Sequence, residues 1–230
     1  MQLGVEKIKS VGLFGGTFNP VHYGHLRAAE EALSAFSLDK VVFIPSYNPP
    51  LKKHGLVPSD DRLEMVRLAT DSNERFEVSD IECKREGLSY TIWTLQELVQ
   101  NYGDRSVLYF ILGMDSFLDM PNWYQAEAVI STVNFIILTR PPLNESEILK
   151  SPYIDAEALN FSASEGVTKV KLKHTGEAFL LNITALDISS TMIRQLISRE
   201  ESVKYLLPEN VESYIIDKGL YRGQSAERKN

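Results

Sequence analysis

A single cysteine, Cys83, in 230 residues leaves no partner for an internal disulfide and too few thiolates for a cysteine-built zinc site. Long apolar runs are missing as well: none nears the roughly 20 residues that a membrane helix needs, and the N-terminus has no signal-peptide core. Positive charge is scarce. With 24 Lys and Arg against 31 Asp and Glu, the net charge of −7 argues against a general nucleic-acid binder, which needs a basic face. It does not forbid a polyphosphate ligand, which a few local cations and helix N-termini can hold. Internal repeats and low-complexity tracts are absent too. What is left is an ordinary globular composition, 43% hydrophobic and 24% charged. We read the chain as cytoplasmic, with one domain over 1–230 and a C-terminal helical part from about residue 187.

The stretch from Val11 to Phe36, VGLFGGTFNPVHYGHLRAAEEALSAF, organises this reading. Val11, Leu13 and Phe14 suggest a buried strand that Gly15-Gly16 breaks, and Asn19-Pro20 offers a helix cap with proline at the first helical position. Leu26, Ala29, Leu33 and Phe36 then recur at helical spacing, with His22 and His25 on the same stripe in its first turn. A helix start presents unpaired N–H groups and partial positive charge, so two inward histidines there suit an anion. Gly24 between them leaves room for something flat against the backbone. One such histidine alone would read as a satisfied core residue. The string GGTFNPVHYGH resembles the G-x-F-[DN]-P-x-H-x-G-H signature of the nucleotidyltransferase superfamily, whose histidine pair stabilises phosphate. Asn19 stands where many bacterial members carry Asp.

Lys40–Pro45 reads as a second strand, and strand–helix–strand implies parallel pairing. The loop from Ser46 to Gly55 carries Lys52, Lys53 and His54. It is either a solvated basic tip or a phosphate cover. The related loop often reads P-P-H-K; Leu51 replaces that histidine, so the resemblance reaches Lys52 or Lys53 without choosing between them. Ser59 is expected to cap a helix through about Asp71, with Leu63, Val66 and Ala69 inward. Phe76–Ile81 alternates like a strand. Ser89 or Thr91 is expected to start a helix with Leu95, Leu98 and Val99 on its apolar side. Gly87-Leu-Ser-Tyr-Thr-Ile-Trp-Thr-Leu95 resembles a G-x-S-Y-T-x-x-T-L segment of the same superfamily that borders a pyridine-nucleotide site.

Ser106–Leu112 is the most apolar strand and so belongs at the centre of the sheet. An Asp just past such a strand, Asp115, can cap a helix or accept ribose hydroxyls. Trp123 follows, and a tryptophan in a turn is ordinarily packing. Val133–Leu138 is a further strand, residues 143–175 form a polar excursion with weak periodicity, and Ala178–Ile183 returns to strand character. There a strand again runs into a helix start, in Asp187-Ile-Ser-Ser-Thr-Met-Ile-Arg-Gln-Leu-Ile197. Ser189, Ser190, Thr191 and Arg194 together suit a phosphate, over a helix anchored by Ile193, Leu196 and Ile197. ISSTMIR resembles the superfamily's I-S-S-T-x-I-R motif. Tyr205 to Ile216, with Pro208 at a helix start and Gly219 at its stop, resembles the tail of bacterial nicotinate-mononucleotide adenylyltransferases.

That family resemblance runs from about Lys9 to Tyr221 and implies a doubly wound parallel α/β sheet with the ligand across the C-terminal strand edge. It implies transfer of AMP from ATP to nicotinate mononucleotide, giving deamido-NAD and pyrophosphate, with Mg²⁺ held mainly by phosphates. It also implies site residues: His22, His25 and Arg194 in catalysis; Gly15, Gly16, Phe18, Gly24, Gly113, Asp115, Ser189, Ser190, Thr191 and Arg194 around ATP. Thr17, Thr91 and Trp123 would meet the mononucleotide. Three rivals stand beside this reading. A sister transferase would act on the amide mononucleotide, phosphopantetheine or FMN, and acid versus amide stays open. A class I aminoacyl-tRNA synthetase fragment would share HYGH, yet the chain lacks a KMSKS-like loop and reads as a complete domain. An adenine-nucleotide sensor would bind without turnover. Whether the chain forms a homo-oligomer is open at this point.

Overall fold

The computed structural model describes residues 9–50, 55–85, 87–140, 145–155 and 166–222. Its strands are β1 (Lys9–Gly16), β2 (Lys40–Pro45), β3 (Phe76–Val78), β4 (Ser106–Gly113), β5 (Asn134–Thr139), β6 (Val167–Val170) and β7 (Ala178–Asn182). Its helices are α1 (Tyr23–Ala35), α2 (Ser59–Thr70), α3 (Thr91–Tyr102), α4 (Met114–Asp119), α5 (Ala126–Thr132), α6 (Ser190–Ser198) and α7 (Glu209–Asp217). One seven-stranded sheet has the order β3-β2-β1-β4-β5-β7-β6. β4 therefore lies at the centre, as its apolar run of Leu108, Phe110, Ile111 and Leu112, all buried, requires.

β1 with β4, β4 with β5 and β5 with β7 pair in parallel, from Lys9↔Ser106 to Phe14↔Ile111 in the first case. β6 pairs antiparallel with β7, so the sheet is mostly rather than wholly parallel. This strand falls in the expected polar excursion: Val-Thr-Lys-Val is too short to show a period, and only its hairpin with β7 makes it a strand. A Cβ on Gly12 would lie 2.8 Å from the Ile111 Cδ1 atom and 2.9 Å from that of Leu38, so β1 approaches its neighbours through a position without a side chain.

The chain divides into two compact units. One holds residues 1–14, 30–42 and 90–183; the other holds 15–29, 43–89 and 184–230, the expected C-terminal helical part included. In the second unit, α2 and α7 pack together, with Asn210 Nδ2 donating to the Leu68 carbonyl at 2.6 Å and the Tyr214 hydroxyl donating to Asp61 Oδ1 at 2.8 Å.

Several expected boundaries move. β1 runs through Gly15-Gly16 rather than breaking there, and α1 begins at Tyr23, three residues beyond Pro20. Ser59 and Thr91 are the first helical residues; Pro58 and Tyr90 flank them and no side chain caps either helix. The Ser89 hydroxyl accepts from the Asn48 amide instead. β3 keeps only three residues of the expected Phe76–Ile81. Leu95 and Leu98 are buried as expected, whereas Val99 is exposed. Residues 183–189 separate β7 from α6, so that strand does not feed its helix directly.

Candidate active site

The short segment between β1 and α1 lies in the second unit, and its backbone departs from what its sequence suggests. Asn19-Pro20 resembles a helix cap, yet the bond between them is cis and the Asn19 side chain turns away from α1. Its Nδ2 donates to the Gly55 carbonyl at 2.8 Å. Its Oδ1 accepts from the Val57 amide at 3.3 Å and from the Tyr221 hydroxyl at 2.9 Å. The helix-flanking role passes to His22, whose carbonyl accepts from the amides of His25 at 2.9 Å and Leu26 at 3.3 Å. The Tyr23 amide donates to the Leu206 carbonyl at 3.1 Å. The first N–H of α1 thus serves the scaffold, and the imidazoles carry the anion reading at this end.

His22 is buried and His25 half-buried, and their rings stack with centroids 3.7 Å apart and planes 29° from parallel. The His22 amide donates to His25 Nδ1 at 3.2 Å. With Nδ1 accepting, a neutral His25 carries its proton on Nε2, where it is a donor. Phe18 sits at φ 48°, buried, with its ring edge-on to His25 at 5.1 Å. Two glycines make room for these rings. A Cβ on Gly16 would lie 2.8 Å from Phe18 Cζ, and one on Gly24 would lie 3.0 Å from His22 Cε1 and Nδ1. The flat group lying against Gly24 is therefore the chain's own His22 imidazole.

The start of α6 is tied to the same segment. Ser189 flanks the helix, and its Oγ accepts from the Met192 amide at 3.1 Å. Ser190 Oγ donates to the Pro20 carbonyl at 2.8 Å. Arg194 Nη1 donates to the Asn19 carbonyl at 2.8 Å and Nη2 to Thr191 Oγ1 at 3.2 Å. Two of the three expected hydroxyls thus brace the scaffold. The chemistry left to this helix start is the amides before Met192, the Ser189 O–H, the Thr191 hydroxyl and the arginine's remaining N–H donors. Burial lowers the Arg194 pKa, but a guanidinium stays charged in a protein.

Two stacked imidazoles, a tied arginine and a helix N-terminus form a positive, donor-rich constellation of the kind that holds a polyphosphate. Comparison with known proteins agrees with it. The model of the cytidylyltransferase-like family matches residues 13–196. A Thermoanaerobacter protein named "Probable nicotinate-nucleotide adenylyltransferase" is 39% identical over 95% of this chain and 97% of its own length. A Desulfitobacterium hafniense protein of the same name is 43% identical over 93% and 96%. The chain belongs to the nicotinate-nucleotide adenylyltransferases of the cytidylyltransferase-like family. Among solved structures, Plasmodium falciparum nicotinic acid mononucleotide adenylyltransferase complexed with NaAD shares the fold at a TM-score of 0.71, with 20% identity over 93% of this chain and 97% of that one.

Other residues expected in an adenylyltransferase site stand elsewhere. Lys52 and Lys53 lie outside the described residues. The Thr17 carbonyl accepts from Arg62 Nη1 at 2.9 Å. Arg62 itself was invisible to sequence reasoning, because a lone arginine in a helix reads as surface. It is 1% exposed. Besides Thr17, it donates to the carbonyls of Val57 at 3.2 Å, Tyr47 at 2.9 Å and Ser46. One guanidinium thereby ties the start of the loop expected to cover phosphate, at Ser46 and Tyr47, to Val57 just beyond its end.

Gly113, Asp115, Thr91 and Trp123 belong to the first unit. Asp115 is exposed on the first turn of α4, and a Cβ on Gly113 would lie 2.5 Å from its Oδ1. Trp123 is half-buried after a 3₁₀ turn, its amide donating to the Met120 carbonyl at 2.8 Å. Its neighbour Tyr124 meets Tyr90 at 4.4 Å and Trp93 at 5.8 Å, and Tyr90 meets Trp93 at 4.9 Å. Their one sequence signal was the i, i+3 spacing of Tyr90 and Trp93.

Proposed function

We infer that this chain moves the AMP part of ATP to nicotinate mononucleotide, giving deamido-NAD and pyrophosphate. The observation that carries the reading is the stacked His22–His25 pair whose own segment is bonded to Arg194 and Ser190 of α6. The near full-length relatives named for this reaction supply the substrate. In the reaction, a phosphate oxygen of the mononucleotide forms a bond to the α-phosphorus of ATP. The bond from that phosphorus to the oxygen bridging it to the β-phosphate breaks, and pyrophosphate leaves with the electron pair. The attacking phosphate is already an anion at neutral pH, so no general base is needed. Catalysis is positioning and charge stabilisation.

In this reading His22 and His25 donate to oxygens around the α-phosphorus, with the His25 tautomer set by the His22 amide. Arg194, Thr191 and the α6 amides hold the departing pyrophosphate, with Lys52 or Lys53 assisting; Gly15 allows the close approach, while Gly16 and Gly24 make room for the Phe18 and His22 rings. Ser190 contributes through its backbone amide, since its hydroxyl donates to Pro20, and Ser189, whose oxygen caps the helix, contributes its O–H. Asp115 takes ribose hydroxyls, while Thr17, Thr91 and Trp123 take the mononucleotide. Mg²⁺ enters as part of MgATP. Among the described residues no group of three or more His, Cys, Asp or Glu side chains could hold a metal ion. We place the enzyme in the cytoplasm, with the water-soluble nucleotides it would act on. Among the described residues no helix is long and apolar enough to cross a membrane.

The test is pyrophosphate release from ATP and Mg²⁺ with nicotinate mononucleotide, run beside its amide. Release with the acid is expected. Release with the amide alone would replace the substrate, and tight ATP binding without release on either would make this protein a nucleotide sensor.

A further inference from the structure

We propose that Tyr221 is a positioning residue of the phosphate site: its buried hydroxyl orients the Asn19 amide, and Asn19 in turn sets the place of Arg194. The proposal rests on the adenylyl-transfer reading for the role of Arg194 and adds a residue 202 positions downstream of Asn19. Every polar atom of Asn19 except its N–H has an assigned partner in the described structure. Its carbonyl takes Arg194, its Nδ2 serves Gly55, and its Oδ1 takes both Val57 and Tyr221. The residue is only 4% exposed, so water cannot substitute for these bonds.

The chemistry of the partners leaves the amide one orientation. The Gly55 carbonyl can only accept and the Val57 amide can only donate, so the NH₂ end must face Gly55 and the oxygen must face Val57. The Tyr221 hydroxyl, at φ 63° and 2% exposed, then donates to that same oxygen and locks it. Burial raises the Tyr221 pKa well above the ordinary phenol range, outweighing the charges of Arg194 and Arg62, so the hydroxyl remains a donor; Asp61 acts in the same direction as burial. Arg194 donates once within its own helix, to Thr191, and once outside it, to Asn19. Displacing Asn19 therefore frees the guanidinium to swing with Thr191 alone.

Calorimetric affinity for α,β-methylene-ATP with Mg²⁺ tests this without turnover. Tyr221→Phe keeps the ring and loses only the hydroxyl; it is expected to weaken binding about tenfold. Arg194→Ala is expected to weaken it about a hundredfold. The double variant should bind no more weakly than Arg194→Ala by more than about twofold, because nothing is left for the hydroxyl to place. A loss of about a thousandfold in the double variant, the product of the singles, would overturn the proposal. So would a Tyr221→Phe protein that melts earlier but binds the analogue as tightly as the parent. If Tyr221→Phe does not fold, Asn19→Ala, which removes the oxygen that the hydroxyl orients, replaces it in the same cycle with the same expectation. A parent protein that binds the analogue yet releases no pyrophosphate would refute the acceptor assignment and leave the role of Tyr221 standing.

Discussion

The histidine segment and the tryptophan segment make opposite uses of their residues. Around His22 and His25, polar side chains and carbonyls are spent on holding geometry: Asn19, Arg62, Ser190 and Arg194 all bond to backbone. Around Trp123, rings lie half open and mostly touch one another: Tyr90, Trp93 and Tyr124 form edge and tilted contacts at a partly exposed surface. The difference teaches what each segment can do. Stabilising charge at one phosphorus requires donors fixed before the reaction, since donors that must reorganise forfeit their advantage. Accepting a flat ring requires area and a little give, which exposed aromatics supply. Under the proposed function, the first segment serves rate and the second serves recognition.

The largest expected effect therefore falls on the first. His25→Ala should lower kcat by about a thousandfold, as loss of a transition-state donor does, with ATP affinity changed less than about threefold. Stopped-flow pyrophosphate release beside equilibrium binding separates the two; normal turnover would end the catalytic assignment. Gly24→Ala tests the geometry rather than the group. A methyl 3.0 Å from the His22 ring makes that ring shift by a few tenths of an ångström against its stack with His25, and both imidazoles remain present. A fall of about tenfold or more in kcat is expected from so small a displacement, and an unchanged kcat would mean that the stack is incidental.

Much of the fold was legible in the sequence because it rests on local pattern. β2 runs over Lys40–Pro45 as its apolar run suggests, and β4 takes the central place its composition demands. The failures share one cause. Asn19-Pro20 carries every local mark of a helix start, but the Asn19 side chain is claimed by Gly55, Val57 and Tyr221, which lie 36, 38 and 202 residues away. Arg62 looks like a surface cation and is instead enclosed by four backbone carbonyls. Ser59 and Thr91 match the capping pattern, yet the helices begin on them rather than after them. Motif strings carry the family resemblance and name the candidate residues. What braces it lies in long-range bonds that no window of sequence contains.

The tryptophan segment should break differently. Trp123→Ala should raise KM for the mononucleotide about tenfold, the worth of one ring contact, and leave ATP affinity and kcat within about twofold. If it lowered kcat as His25→Ala does, the division between rate and recognition would fail. An equal rise in KM for ATP would move Trp123 to the nucleotide side of the site.

The smallest effect concerns the bracing alone and is read as stability. Tyr214 donates to Asp61, and burial with that hydrogen bond raises its pKa to about 12. An unfolded tyrosine loses its proton near pH 10. Between about pH 10 and 12 the unfolded chain thus binds fewer protons than the folded one at this position, and the sign of the linkage is that stability falls as pH rises. Tyr221, raised further, adds to the same alkaline slope. Tyr214 is only half-buried, so screening leaves its share at about 0.5 kcal/mol. Urea unfolding at pH 9 and pH 11 should show the parent losing stability across that interval and Tyr214→Phe losing less. Because Tyr214 joins α7 to α2 and has no bond to Asn19, its substitution should leave ATP-analogue affinity unchanged, in contrast to Tyr221→Phe. Two tyrosines of one C-terminal segment would then divide: one holds the scaffold, and the other holds the geometry that the chemistry uses.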